Sequence, residues 1–505
     1  MAKDPGPMET LRQYGGWVLG FYVSLFLLVA SGRLGSYDAG GQLQAALLLV
    51  HTGSPGAATP PEADHPNWVK SPGGNYFENH DIGNILLMVP AALAGKLTSR
   101  QPVTAQLQQP PLISRVAASL TNSLFSALGA WWLFRFFEVF AGDRRRAFRL
   151  SAVVTIGTFF IAYARFAWDV IGSCNGACLL AYGAVRVLRE EKASLKSVVC
   201  LSAGLTLAGW FRYSTFPFFA IATFLWLGFQ RARMTWPRFW TGAALAAVGL
   251  MPSLLYNFVR MGSFLRPATM AAQFSGNRLT TPVGKGLFGL LASPNRGLLE
   301  FAPVLLALLL LPWVWPRLGR AARQFIVSFG IGSAGYIWLI AHLGEWGSFG
   351  WGPRYLVPVL PMLGGIAGLC MLGNWLRFKW LFITLILVSG LVNFPTAVVN
   401  WQLTSSESPH ASDQSATVPY QQMAVWQGLW LGVQGRALPA PTQVTDDRVR
   451  ETGTHFPDWW TFRLIEQGGH WRALGVGLAG LLGISTLMCL RRLLVRPRYS
   501  PVPET

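Results

Sequence analysis

Residues 15–32 read GGWVLGFYVSLFLLVASG, 18 positions without one Asp, Glu, Lys, Arg or His. A helix needs about 20 such residues to cross a ~30 Å hydrocarbon core, and it satisfies its own backbone polar groups on the way. Runs of the same kind recur along the chain. Twelve segments are expected to span: 15–32, 114–139, 150–167, 170–187, 197–211, 213–229, 239–258, 298–315, 324–343, 355–373, 380–400 and 472–490. No barrel-type alternation is visible, so the expected fold is an all-α polytopic membrane protein. Of 505 residues, 52% are hydrophobic and 12% charged, about half the charge of an average soluble domain.

The net charge of +19 would point to nucleic acid in a soluble protein. Its distribution says otherwise. The short segments 1–14, 141–150, 186–196, 230–238, 317–323, 374–379 and 490–505 hold 22 Lys/Arg in 73 residues, whereas the long loops 33–112 and 401–471 hold 8 in 151. Basic loops stay cytoplasmic. Both termini are therefore expected inside a plasma (inner) membrane and both long loops outside, and no nucleic-acid module is seen. The apolar stretch 82–97 is placed in the first outer loop as a re-entrant or interfacial helix. As a full span it would put Arg144, Arg145, Arg146 and Arg149 outside. The organisation is thus a membrane core over 1–400, an outer-face loop region over 401–471, and a last span with a cytoplasmic tail over 472–505. The N-terminal run is long enough to span and lacks a clear cleavage site, so it reads as a span rather than a signal peptide. None of the five cysteines lies in a long outer loop, which argues against a disulfide framework. Cys174 and Cys178, one helical turn apart, read as packing residues.

Candidate chemistry gathers in the first outer loop, which begins Gly35-Ser36-Tyr37-Asp38. Asp38 falls at the membrane–water boundary, where partial desolvation lifts a carboxylate toward what a general base needs. An Asp before a short helix is equally a common N-cap. Leu43, Ala46, Leu47 and Val50 follow at helical spacing, as in a helix lying on the membrane. Further on, Glu78, His80 and Asp81 crowd into four positions before the 82–97 stretch. Carboxylate and imidazole together can bind a divalent metal, or position an acceptor and a phosphate; they also suit a solvated helix start. Asp169 lies in the outer turn between two spans, with Arg165 one turn earlier as its expected ion-pair partner. Cations expected outside are Lys70, Arg212, Arg260, Arg266, Arg278, Lys285, Arg296 and Arg354. An Arg fork matches phosphate oxygens, and the alternative is snorkelling to the headgroups. For Arg354 the two weigh equally, and snorkelling is preferred for the rest. Dense outer tryptophans, including Trp168, Trp346, Trp351, Trp459, Trp460 and Trp471, fit an aromatic belt, or stacking on sugar rings.

In this order, these features resemble the GT-C superfamily of membrane glycosyltransferases, within it the bacterial protein-mannosyltransferase-like branch that includes the lipid A aminoarabinose transferases. The likeness covers about 15–400. It rests on Asp38 after the first span, on Glu78-Asn79-His80-Asp81-Ile82-Gly83-Asn84, on Arg165 with Asp169, and on Trp351-Gly352-Pro353-Arg354-Tyr355-Leu356-Val357-Pro358. The second of these stands where the family often has a Lys-Pro-Pro or His-containing motif. The resemblance implies a GT-C-like fold of about 12 transmembrane helices, with interfacial helices in the first outer loop. It implies an inverting glycosyltransferase moving a sugar from a polyprenyl-phosphate donor to a lipid, glycan or protein acceptor at the outer face. Asp38 would be the principal catalytic carboxylate, with Asp169, Glu78 and Asp81 as further acidic site residues. His80, Arg354, Arg296, Lys70 and Tyr355 would bind substrate, and acceptor recognition would fall to 401–471. No cofactor is required, a divalent metal being compatible with the residues but not demanded by them. A lipid-linked glycan polymerase or ligase, a polytopic lipid or solute transporter, and an inactive member acting as a binding partner are the alternatives.

Overall fold

The computed structural model describes residues 7–61, 68–265, 279–344, 350–401, 418–436, 456–466 and 468–494. Arg266, Arg278, Trp346 and much of the expected acceptor loop, 402–417 and 437–455, lie outside them.

The chain opens with α1 (Pro7–Val29) and α2 (Tyr37–Thr52). Three short strands follow, β1 (Gly56–Ala57), β2 (Trp68–Lys70) and β3 (Tyr76–Glu78), paired antiparallel in the order β1-β3-β2. Next come α3 (Ile82–Leu87), α4 (Val89–Thr98), α5 (Val103–Gln108), α6 (Leu112–Phe140), α7 (Arg144–Ile156), α8 (Phe160–Ala164), α9 (Asp169–Arg186), α10 (Leu195–Phe211), α11 (Phe216–Phe229) and α12 (Trp236–Met261). The small sheet is an addition that the expected all-α pattern did not announce.

Each of the twelve expected spans is helical, but they are not alike. Among the described residues, six helices are long and apolar enough to cross a membrane: Asp169–Arg189, Trp236–Met261, Arg320–Ala341, Arg354–Gly373, Lys379–Ala397 and Gly469–Leu494. Large apolar side chains such as Val248, Leu255, Leu481 and Leu487 stand exposed along two of them, a surface suited to lipid rather than water. The other segments are shorter or interrupted for visible reasons. The 298–315 region carries Pro303 and Pro312 and runs as short α and 3-10 pieces, because proline removes a backbone donor. The 150–167 region breaks at Gly157 into α7 and α8.

α6 is long enough to span but carries a buried polar row, Ser119, Asn122, Ser123 and Ser126. The row has a purpose in the fold. Ser119 donates to the Arg165 carbonyl (2.8 Å), Ser123 to that of Ala164 (2.8 Å), and Asn122 to that of Phe166. The turn between α8 and α9 is thereby satisfied inside protein, which buried backbone requires. α9, buried from Asp169 through Val185, is the central helix. It meets α10 through small residues: a Cβ on Gly176 would lie 2.4 Å from the Ala208 nitrogen, and one on Gly204 2.3 Å from that of Leu180. Only glycine allows that approach, the usual device of helix packing in membranes.

The first outer loop packs as a second core, in which Leu43, Leu47, Trp68, Phe77, Ile85 and Met88 are buried together. The expected short helix forms as α2, and protein covers it from Ala39 to Leu48. Its off-face glutamines are bonded within protein rather than to water: Gln44 donates to the Leu107 carbonyl (2.6 Å), and Gln42 accepts from Asn84. The 82–97 stretch is two short helices, α3 and α4, broken at Met88 ahead of Pro90.

Candidate active site

Ser36, not Asp38, caps α2. Its backbone is extended (φ −156°, ψ 159°) and its hydroxyl accepts from the Ala39 N–H at 3.0 Å. Asp38, in the first helical turn, is thereby free of the capping role that the sequence allowed it. Its carboxylate Oδ2 accepts from Arg354 Nη2 at 3.0 Å and faces His80 Nε2 at 3.5 Å.

His80 is oriented from its other side. Its Nδ1 lies 2.5 Å from Glu78 Oε1, and its backbone N–H donates to Glu78 Oε2 at 2.8 Å. Glu78 is fully buried. Burial pushes the Glu78 carboxyl up from its ordinary value, against the pull of His80 and Arg260. Burial alone would lower the His80 pKa; the carboxylates of Glu78 and Asp38 on either side outweigh it and hold the imidazole well above its usual range. The result is a row in which acidic and basic side chains alternate: Glu78, His80, Asp38, Arg354.

The loop bearing this row is clamped by α12. Buried Arg260 donates to the Glu78 carbonyl (3.0 Å) and to the His80 carbonyl (2.6 Å), and Tyr256 OH donates to the Glu78 carbonyl (2.9 Å). Asp81 fastens the loop to the end of α10, its Oδ2 accepting from the Tyr213 N–H at 2.8 Å. Burial pushes the Asp81 carboxyl up to about 6 despite Arg260, that N–H and Arg212. Gly83 lets α3 seat there, since a Cβ at that position would lie 2.7 Å from the Trp210 carbonyl.

Arg354 begins the Arg354–Val359 turn, its guanidinium carbon 4.9 Å from the Trp168 ring centre and 5.6 Å from that of Tyr355. Arg212 stacks on the same Tyr355 ring at 4.8 Å and faces Asp169 at 4.0 Å. Arg354 and Asp169 are also within electrostatic reach of one another. The structure thus gathers Asp38, His80, Arg354, Tyr355, Asp169 and Arg212 at one end of the helices, with Glu78 and Asp81 bracing from behind. Among the described residues, no group of three or more His, Cys, Asp or Glu side chains is arranged to hold a metal ion.

Several expectations need correcting. Arg165 does not pair with Asp169. It donates to the carbonyls of Val29 (2.6 Å), Val399 (2.9 Å) and Thr396, and meets Asp458 Oδ2 at 3.2 Å. Asp458 also binds Arg33 at 3.0 Å, tying the end of the first span to the 401–471 loop region. Arg212, Arg260 and Arg296 are buried rather than snorkelling to headgroups. Arg296 donates to the Gly350 carbonyl at 2.8 Å, where it supports the turn that carries Arg354. Lys70 is exposed on β2 with its ammonium 5.9 Å from the Tyr76 ring, and no contact with the cluster is found for it among the described residues. Trp168 and Trp351 are buried against Tyr163 and Trp401 instead of forming a belt.

Sequence reasoning did not find Asp458 or the pairing of Arg212 with Asp169. Ion pairs between residues this distant in the chain leave no local spacing to read.

The chain is similar to two solved structures of ArnT from Cupriavidus metallidurans. One is bound to undecaprenyl phosphate, with 13% identity over 97% of this chain and 78% of that one; the other is in the apo state, with 15% identity over 95% and 77%. Both superpose with a TM-score of 0.48. No family model and no curated protein matches the chain.

Proposed function

We propose that the chain is an inverting glycosyltransferase that moves a sugar from a polyprenyl-phosphate donor to an acceptor hydroxyl at the outer face of the membrane. One observation carries this reading: the Asp38 carboxylate, relieved of capping by Ser36, stands between Arg354 and His80, with Arg212 stacked on the same Tyr355 ring as Arg354. In the resting site Arg354 and His80 both face the Asp38 carboxylate. A donor phosphate arriving at Arg354 competes for its guanidinium and frees the carboxylate to meet the acceptor hydroxyl. Asp38 then takes the proton of the acceptor hydroxyl as that oxygen bonds to the anomeric carbon. The bond from that carbon to the phosphate oxygen breaks on the opposite face, which inverts the centre. The departing phosphate keeps the electron pair, its charge met by Arg354 and Arg212. His80 holds the Asp38 carboxylate, Glu78 acts through His80, Asp169 orients Arg212, and Asp81 and Arg296 fix the two loops. Lys70 is not part of this arrangement. Guanidinium groups meet the leaving charge, so the arrangement does not call for a metal.

The test is the lipid that accompanies the protein through purification, identified by mass spectrometry. A polyprenyl-phosphate sugar is expected, and its loss when donor synthesis is blocked. Bulk phospholipid alone, with no binding of added polyprenyl-phosphate sugar, overturns the reading. The Lys/Arg asymmetry supports the orientation, with both termini cytoplasmic and loops 33–112 and 401–471 outside. Thr59→Cys should then react with a membrane-impermeant thiol reagent in intact cells. Reaction only after permeabilisation reverses the topology.

A further inference from the structure

At the other end of α10 from Arg212, a cavity of about 140 Å³ opens between α10, α11 and α12. Its wall is apolar, with Leu201, Leu205, Phe224, Leu227, Ala243 and Ala246 among its residues. Two hydroxyls line it, and both are already bonded to carbonyls: Ser202 to Gly242 at 2.9 Å and Thr223 to Phe219 at 2.7 Å. The wall therefore asks nothing polar of an occupant. Phe224 and Ala243 are exposed at its mouth, so it opens sideways, off the apolar surface of the helices.

Its one charged lining residue is Arg238, half-buried in the first turn of α12. No hydrogen bond or ion pair engages it among the described residues. Neighbouring Arg233 is differently placed, committed to the carbonyls of Leu188 (2.5 Å) and Glu190 (3.0 Å). Around Arg238 stand Trp236, Phe239 and Trp240, with Trp236 stacked on Phe239 at 5.5 Å and both tryptophans exposed. Exposed tryptophans of this kind mark headgroup depth. A cation at headgroup depth above an apolar slot is complementary to one kind of molecule, an anion with a hydrocarbon tail. Arg238 is where a lipid phosphate would sit, and the slot below is where the first methylenes of its chain would run.

We infer that the α10–α12 groove is a binding site for an anionic glycerophospholipid of the surrounding bilayer, with its headgroup at Arg238 and one acyl chain between the helices. The site lies roughly 15 Å along α10 from Arg212, taking 1.5 Å per residue. It requires nothing of the transfer chemistry and stands or falls separately from it.

The test uses the full chain in phosphatidylcholine nanodiscs, doped with a phospholipid carrying a diazirine in one acyl chain. The probe is supplied with either a phosphatidylglycerol or a phosphatidylcholine headgroup, and adducts are mapped by peptide mass spectrometry. With phosphatidylglycerol, adducts should concentrate on peptides covering 198–246. They should exceed those from phosphatidylcholine by about fivefold, the weight of one basic residue near an anionic lipid. Arg238→Gln should erase that excess and Arg238→Lys restore most of it, while thermal melting shows both folded. Ala243→Trp, which blocks the mouth, should remove adducts from both probes. Equal labelling by the two headgroups, or adducts as dense on the lipid-facing Gly469–Leu494 helix, means boundary lipid only and overturns the inference.

Discussion

Replacing Asp38 with Asn removes one negative charge from between Arg354 and His80 with almost no change of shape. Two costs follow from the structure, and they are separable. The first is structural. The 3.0 Å contact with Arg354 loses its charge on a side chain that is 22% exposed, which costs ~1.5–3 kcal/mol for a hydrogen bond to a charged group. That is a fraction of the ~5–15 kcal/mol by which domains are stable, so the variant folds and melts lower. The helix itself is not at risk, because its cap is Ser36. The second cost is chemical. Asn cannot take the acceptor proton, and losing a general base lowers the rate by ~10²–10⁴-fold. Ser36→Ala supplies the contrast: it removes the cap for ~1 kcal/mol and leaves the Asp38 carboxylate in place. Both variants are to be reconstituted in proteoliposomes with a radiolabelled polyprenyl-phosphate sugar and native membrane acceptor, following donor consumption beside a thermal melt. The expected result is a small loss of stability with near-normal turnover for Ser36→Ala, and loss of turnover in a folded protein for Asp38→Asn. Turnover of Asp38→Asn within about threefold of the parent, far inside the range for a lost base, would refute the reasoning and move the search to Asp169.

Two further outcomes follow from the same cluster. Arg354→Ala should weaken binding of polyprenyl phosphate by ~1.5–3 kcal/mol, and Arg354→Lys by less; equal affinity in all three proteins, measured by calorimetry in detergent, would remove the phosphate from Arg354. The raised pKa of His80 makes its pairing a stabilising term that is complete below the unfolded value of about 6.5 and is lost as pH rises through the folded value. The melting temperature should therefore fall as pH climbs above neutrality, and the slope should flatten in His80→Asn; an unchanged slope would mean that another group carries it.

How much of this was legible in the sequence depends on the range of the force involved. Membrane embedding needs only composition over ~20 consecutive residues, so each predicted span is built largely of helical segments in the structure, several of them broken into pieces. The positions of Lys and Arg are the ground for expecting 82–97 outside the set of spans, and in the structure that stretch is two short helices, α3 and α4. The acidic candidates could be found because they are few and sit at the ends of apolar runs. Their roles could not be assigned from there. Ser36 and Asp38 are two residues apart and both are competent caps; backbone angles and the direction of a carboxylate decide between them. Arg165 stands one helical turn before Asp169, yet its guanidinium is drawn to Asp458 and the Val29 carbonyl that ends α1, while Asp169 faces Arg212 across a helix boundary. The glutamines of α2 are inside, because Asn84 and the Leu107 carbonyl meet them there, and nothing in their local spacing announces those partners. Hydrophobicity is additive along the chain, and a sequence therefore displays it. A buried ion pair depends on which charges the fold brings within about 4 Å, and for Asp38 and Arg354, 316 positions apart, the tertiary structure alone decided it.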